Sequence, residues 1–109
     1  MKTFVINGGD QNAIDKFTNA LKVGAIKAYE ESLKAMTLSQ IAREIRKDWK
    51  KVYFGAVPYL DAMSTLNSIN DNYFADSGRS VVLYFLSNAT TWKGETAKAV
   101  KKELNKRAK

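Results

Sequence analysis

Five basic side chains lie close together in the middle of the chain, where they are the best candidates for contacts with another molecule. They are Arg43, Arg46, Lys47, Lys50 and Lys51. The first four recur at intervals of three, one and three residues, which places them on one side of a helix. Cations on one side of a helix can follow the phosphate backbone of a nucleic acid. The same pattern is also typical of a charged helix face that contacts only water.

Aromatic residues lie among these basic residues. Trp49, Tyr53 and Phe54 follow one another closely, and an exposed aromatic ring beside cations can stack on an unpaired base. Trp49 also continues an apolar stripe, and a ring in such a stripe usually belongs to the core. We therefore add Tyr53 to the predicted nucleic-acid contacts and treat stacking by Tyr53 or Phe54 as optional.

A second basic block ends the chain. Residues 93–109 contain seven basic and two acidic residues, and their apolar positions predict a helix with a narrow apolar face. Lys98, Lys101 and Lys102 are the further predicted nucleic-acid contacts in this block. An acidic protein could meet the same charges. Because the apolar face is narrow, we expect no association with a membrane.

Several kinds of chemistry have no residues to carry them out. The chain contains no histidine and no cysteine, and its 18 Lys and Arg against 11 Asp and Glu give a formal charge of +7. Gly8 and Gly9 lack the following residues of a phosphate-binding loop, and Asp71 and Asp76 lack the spacing of a calcium loop. We expect turn and cap roles for these acids, no cofactor, no metal site and no enzyme activity.

Apolar periodicity predicts the elements that position these residues. It indicates a first helical segment over residues 10–36, an amphipathic helix over residues 38–52 begun by Thr37 or Ser39, and a third helix from just after Pro58 to Ile69. Residues 81–86 fit either a buried helix or a buried strand, and we choose the helix. Thr90 or Thr91 is expected to cap the last helix.

The expected fold is mainly α, a compact bundle of about five helices with a short N-terminal extended segment. All 109 residues form one domain, in which residues 1–9 are an extended arm or strand, residues 10–36 the first helical segment and residues 37–109 the helical core. A lone strand needs a partner. Residues 1–9 therefore pair with residues 52–57, pair with the same segment of a second subunit in a homo-oligomer, or form a loose arm.

Three short segments from residue 53 onward have a recognisable sequence pattern. Residues 53–63, 84–89 and 92–97, with the sequences YFGAVPYLDAM, YFLSNA and WKGETA, are similar to short uncharacterised proteins of bacteriophages and mobile elements. The resemblance extends over about half of the chain. It implies a phage or mobile-element setting, and it transfers no functional residues.

Two functions are compatible with these observations. The first is a small basic helical accessory protein that binds nucleic acid through phosphate contacts. The second is a protein–protein interaction module that oligomerises and inhibits a host factor or serves as a small virion or assembly component. The longest apolar run is too short to span a bilayer, so we expect an intracellular protein in the cytoplasm, which is the host cytoplasm if a phage encodes it.

Overall fold

The computed structural model describes residues 26–109, which form five α-helices, one short 3-10 turn and a two-stranded antiparallel hairpin. The elements are α1 (residues 26–34), α2 (Leu38–Asp48), the 3-10 turn (Phe54–Ala56), α3 (Val57–Met63), β1 (Asn72–Tyr73), β2 (Asp76–Ser77), α4 (Gly78–Ser87) and α5 (Glu95–Ala108). The predicted bundle of about five helices is therefore confirmed. The predicted extended segment, residues 1–9, lies outside the described residues.

The core lies among the last four helices. Helix α4 packs against α3 and α5, and α2 packs against the same two helices. At the centre, Phe85 of α4 meets the rings of Trp49 and Trp92 edge-on, with centroids 6.3 and 6.5 Å away. Residues 52–57, which were one possible partner for an N-terminal strand, contain the 3-10 turn and form no strand.

Helix α2 begins where the sequence places it, at Thr37. The Thr37 hydroxyl accepts a hydrogen bond from the Gln40 N–H at 3.2 Å, and the Gln40 side chain accepts the Thr37 N–H at 2.8 Å. This reciprocal pair satisfies two backbone donors that the first turn of a helix leaves free. Leu38, Ile41 and Ile45 are fully buried along one stripe, so the predicted amphipathic helix is confirmed.

Replacing Thr37 with alanine is expected to lower the free energy of unfolding by about 1 kcal/mol, because the first turn loses its cap. Urea denaturation followed by circular dichroism measures this change. Thr91→Ala is the control, since Thr91 is exposed and its hydroxyl has no partner within residues 26–109. Equal midpoints for the two variants would show that the Thr37 cap contributes nothing to stability.

Helix α2 ends at Asp48, so the prediction that it continues to residue 52 is wrong. Trp49 leaves the helical conformation, with φ −92° and ψ 89°, while its N–H still donates to the carbonyl of Ile45 at 2.8 Å. Its indole stacks on the Trp92 indole. The indole N–H of Trp92 donates to the Asp48 carboxylate at 2.8 Å. These tertiary contacts hold the end of the helix.

Helix α3 also ends earlier than the sequence predicts. Pro58 lies in its first turn, where the missing N–H costs no helical hydrogen bond. The predicted helix to Ile69 is wrong, since α3 ends at Met63. The hydroxyls of Ser64 and Thr65 donate to carbonyls about one turn back, at 3.0 and 2.8 Å, and this local bonding competes with continuation of the helix.

Asp71 has the turn role expected for it, whereas Asp76 lies in β2 and its neighbour Ser77 provides the cap. The Asp71 carboxylate accepts the N–H groups of Asn67 and Ser68 at 2.9 and 3.0 Å, which fixes the loop after α3. The Ser77 hydroxyl accepts the N–H of Ser80 at 3.1 Å and caps α4. Polar side chains of the loop itself therefore satisfy its backbone donors.

Helix α4 contains residues 81–86, so the choice of helix over strand is confirmed. The expectation that this segment is buried is only partly correct. Val81, Val82 and Phe85 are buried, whereas Leu83 and Tyr84 are exposed. Helical geometry explains the split, because four consecutive residues point in different directions around the axis.

Helix α5 begins after Gly94, so the predicted cap at Thr90 or Thr91 is wrong. Gly94 has φ 112° and makes no side-chain cap bond. Glycine adopts this conformation at little steric cost, whereas a residue with a side chain is strained there. The chain therefore turns into α5 at its glycine and not at a threonine.

Candidate nucleic-acid interface

The basic residues of α2 lie on its exposed face, but acids accompany two of them. Arg43 is exposed and has no side-chain partner within residues 26–109. Arg46 forms an ion pair with Asp61 of α3, and Lys47 pairs with Glu44 at 3.1 Å. Exposed pairs of this kind contribute about 0–1 kcal/mol, so a strong anion could replace the carboxylate. Arg43 is nevertheless the most available cation on this face.

Lys50 and Lys51 lie in the turn beyond α2. Both are exposed, and neither side chain has a hydrogen bond or ion pair within the described part of the chain. The chain then reaches Tyr53, which is 43 % exposed, and Phe54, which is 79 % exposed. The structure therefore places these two cations shortly before two exposed aromatic rings.

The predicted lysines of α5 divide between two surfaces. Lys102 lies 3.6 Å from Glu30 of α1 in an exposed pair, so it belongs to the surface between α1 and α5. Lys98 and Lys101 line a shallow cavity of about 280 Å³ beside Trp92 and the start of α5, together with Lys93. Lys98 also lines the depression against α1 that Lys102 borders, so it lies between the two surfaces, whereas Lys102 has an acidic partner in Glu30.

Three ammonium groups of this cavity lack a carboxylate partner within residues 26–109. The Lys101 ammonium donates to the Trp92 carbonyl at 2.6 Å and lies 5.9 Å from the centroid of the Trp92 ring. Burial lowers the pKa of Lys101, and the charge of Lys93 lowers it further. Since an ammonium has three N–H donors, Lys101 keeps donors for an anion that would relieve this repulsion.

The stacked Trp49 and Trp92 side chains connect the two basic regions. Their ring centroids are 5.6 Å apart and their planes differ by 10°. Because Lys50 follows Trp49 and Lys93 follows Trp92, the stack holds these two segments side by side. Trp49 is only 7 % exposed, so it is part of the core and is no platform for a base.

We refer to the lysines gathered by this stack as the basic end. Its members are Lys50, Lys51, Lys93, Lys98 and Lys101. The nearby Asp48 carboxylate accepts the Trp92 indole N–H. Glu95, in the first turn of α5, lines a neighbouring depression that borders α1 and that Lys98 also lines. The lining of the shallow lysine cavity contains no acid, so positive charge dominates there.

Sequence reasoning missed two residues of this region. Lys93 is not among the predicted contacts, yet it precedes the last helix and lines the cavity with Lys98 and Lys101. Phe54 is not among the predicted contacts, although stacking by either Tyr53 or Phe54 was optional, and its ring is the more exposed of the two. Their position in the sequence could have indicated both residues, since each directly follows an aromatic residue.

Other classes of site find little support among residues 26–109. Within this range, no group of three or more acidic side chains is arranged to hold a metal ion. None of the helices formed by these residues combines the length and apolar character needed to cross a bilayer. No protein-family model matches the chain, and no match was found among curated proteins or solved structures.

Proposed function

We propose that this protein is a small basic accessory protein that binds nucleic acid through phosphate contacts at the basic end. The supporting observation is the Trp49–Trp92 stack, which joins Lys50 and Lys51 to the lysine cavity of α5. Arg43, which has no acidic partner within residues 26–109, extends the positive surface along α2. The protein acts by binding and carries out no catalysis.

The charge distribution favours a polyanion over a single acidic group. The lysines of the basic end come from two separate segments and all reach solvent, so several phosphates can be contacted at once. Each phosphate contact releases condensed counterions, which makes the affinity fall with salt. In the same proposal, a phage or mobile element encodes the protein, which works in the host cytoplasm.

Replacing Lys50, Lys51 and Lys93 together with glutamate is expected to weaken binding to duplex DNA at least about tenfold at moderate salt. Lys50 and Lys51 have no side-chain partner within residues 26–109, and Lys93 repels Lys101, so the variant should fold. Fluorescence anisotropy at several salt concentrations measures both the affinity and its salt dependence. The log–log slope should become shallower by about 0.9 for each phosphate that the variant no longer neutralises.

The matched control reverses three lysines that are not part of the basic end, Lys27, Lys106 and Lys109, of which Lys27 borders the depression between α1 and α5 that Lys98 also lines. It changes the net charge by the same amount, and none of these side chains has a hydrogen bond or ion pair within the described residues. Lys106 lies five residues beyond Lys101, about 8 Å along α5, and thirteen residues beyond Lys93. Equal reductions in affinity for the two variants would mean that total charge, and no particular surface, determines the affinity.

A second candidate function is a protein–protein interaction module that oligomerises. Its support is that Leu83 and Tyr84, consecutive on α4, are both exposed, with the Tyr84 ring centroid 5.4 Å from that of Tyr59, since exposed apolar patches often mark contacts between proteins. Light scattering at increasing protein concentration tests this candidate. A defined oligomer without affinity for nucleic acid would favour it over the first proposal.

A further inference from the structure

The two exposed rings beside the basic end form a fixed unit. The Tyr53 and Phe54 ring centroids are 4.8 Å apart, with their planes inclined by 51°. Water-exposed apolar surface costs about 25 cal/mol per Å² compared with buried surface. A phenyl ring that is mostly exposed at the start of an ordered turn is therefore a candidate for burial against another molecule.

The local backbone holds this unit in place. Phe54 begins the 3-10 turn, whose last residue, Ala56, is fully buried and donates its N–H to the Tyr53 carbonyl at 2.9 Å. Gly55 is closely surrounded, since a Cβ there would lie 2.6 Å from the Tyr53 ring and 2.8 Å from the Asn88 side chain and would displace one of them. The rings therefore sit on a packed turn.

Cations precede the rings at short range. Lys51 is three residues before Phe54, so their α-carbons are at most about 10 Å apart. Lys50 lies one residue earlier, and neither lysine has a partner in the described part of the chain. A ligand that covers the Phe54 ring therefore lies close to the positively charged residues Lys50 and Lys51. This arrangement favours a ligand that is both flat and anionic.

Single-stranded nucleic acid combines these two properties. Its unpaired bases offer a π-face to an aromatic ring, while its phosphates contact lysines. A duplex offers the protein only base edges and backbone, and the phenyl ring of Phe54 has no hydrogen-bonding atom that could recognise an edge. The Tyr53–Phe54 pair beside Lys50 and Lys51 thus distinguishes the two forms of nucleic acid.

The other highly exposed phenylalanine provides a contrast. Phe74, at the tip of the hairpin, is 88 % exposed. Its neighbourhood in the chain contains Asp71 and Asp76 and no lysine. These carboxylates would repel a phosphate backbone, so exposure of a ring alone does not make a site for nucleic acid.

We infer that an unpaired base of single-stranded nucleic acid stacks on Phe54 and Tyr53 while its adjoining phosphates contact Lys50 and Lys51. The inference rests on the proposed nucleic-acid function and specifies the form of nucleic acid. It assigns to Phe54 a contact that raises affinity for a single strand and leaves affinity for a duplex unchanged.

The experiment compares the wild type, Phe54→Leu, Phe54→Tyr and Phe74→Leu, all as full chains. Anisotropy is measured with a labelled single-stranded DNA, an RNA of the same sequence and the corresponding DNA duplex. Phe54→Leu should weaken single-strand binding about tenfold with no change on the duplex. Phe54→Tyr, which keeps a ring, and Phe74→Leu should both bind like the wild type. Circular dichroism checks that every variant is folded.

The outcomes separate this inference from the proposed function. Unchanged single-strand binding by folded Phe54→Leu would overturn the inference, while the proposed function would stand if reversing Lys50, Lys51 and Lys93 still weakened binding. An equal decrease in affinity for single strand and duplex would also overturn it. A wild type that binds none of the three probes would overturn both. If Phe54→Leu instead abolished self-association in light scattering, the ring would be a protein contact and the inference would be wrong.

Discussion

Replacing Trp92 with alanine is expected to lower the free energy of unfolding by about 4 kcal/mol, the largest decrease we expect from one side chain. Trp92 is 2 % exposed and stacks on Trp49 while its edge meets Phe85. Alanine would leave a cavity among these rings, and the Asp48 carboxylate would lose the indole N–H that it accepts at 2.8 Å. The Lys101 ammonium would lose its ring neighbour.

Urea denaturation of Trp92→Ala, with Phe74→Ala as control, measures this decrease in stability. Both substitutions truncate an aromatic residue, but Phe74 is exposed, so its variant should stay within about 0.5 kcal/mol of the wild type. Trp92→Phe should give an intermediate value, since it keeps a ring and removes only the hydrogen bond and part of the stacking area. A decrease below about 1 kcal/mol in Trp92→Ala would contradict the central packing role.

The beginning of α2 could be predicted from sequence because its signals are local. Thr37 and Gln40 are three residues apart, and the apolar stripe repeats within the helix itself. Its end could not be predicted, because it depends on contacts of Asp48 and Trp49 with Trp92, more than forty residues later. No pattern within residues 38–52 contains that information.

The candidate site shows the same division. Residue type and spacing predict the charges of the basic residues and the exposed side of α2 on which they lie. Residue type and spacing do not predict which charges are paired, because the partner of Arg46 is Asp61 on another helix and the partner of Lys102 is Glu30 on α1. Sequence therefore predicted the cations, while tertiary packing decides which of them are available.

Exposure of the aromatic residues was also set by tertiary structure. Trp49, Tyr53 and Phe54 have similar surroundings in the sequence, yet Trp49 is buried and the other two are exposed. Trp49 finds a stacking partner in Trp92, whereas Tyr53 lies over Gly55, in space left by the missing side chain. Only the three-dimensional arrangement separates a core ring from a contact ring.

Replacing Gly78 with alanine is expected to lower the free energy of unfolding by about 3 kcal/mol. Gly78 is the buried first residue of α4, and a Cβ there would lie 2.6 Å from the Ser68 carbonyl oxygen and 2.9 Å from the Ile69 α-carbon. Helix propensity alone predicts the opposite sign, a gain of up to about 1 kcal/mol for alanine. Urea denaturation decides between a decrease and an increase in stability. A Gly78→Ala variant as stable as the wild type would show that the loop at Ser68 and Ile69 moves to make room for the Cβ.

A double-mutant cycle with Asp71→Ala identifies the origin of that decrease. The Asp71 carboxylate holds the N–H groups of Asn67 and Ser68, next to the backbone that a Cβ at Gly78 would contact. If this rigid loop causes the strain, removing the carboxylate lets the loop move, and Gly78→Ala should cost less in the Asp71→Ala background. We expect the double variant to be more stable than the sum of the two single effects predicts, by about 1 kcal/mol. Strict additivity would instead place the strain within α4, independent of the loop.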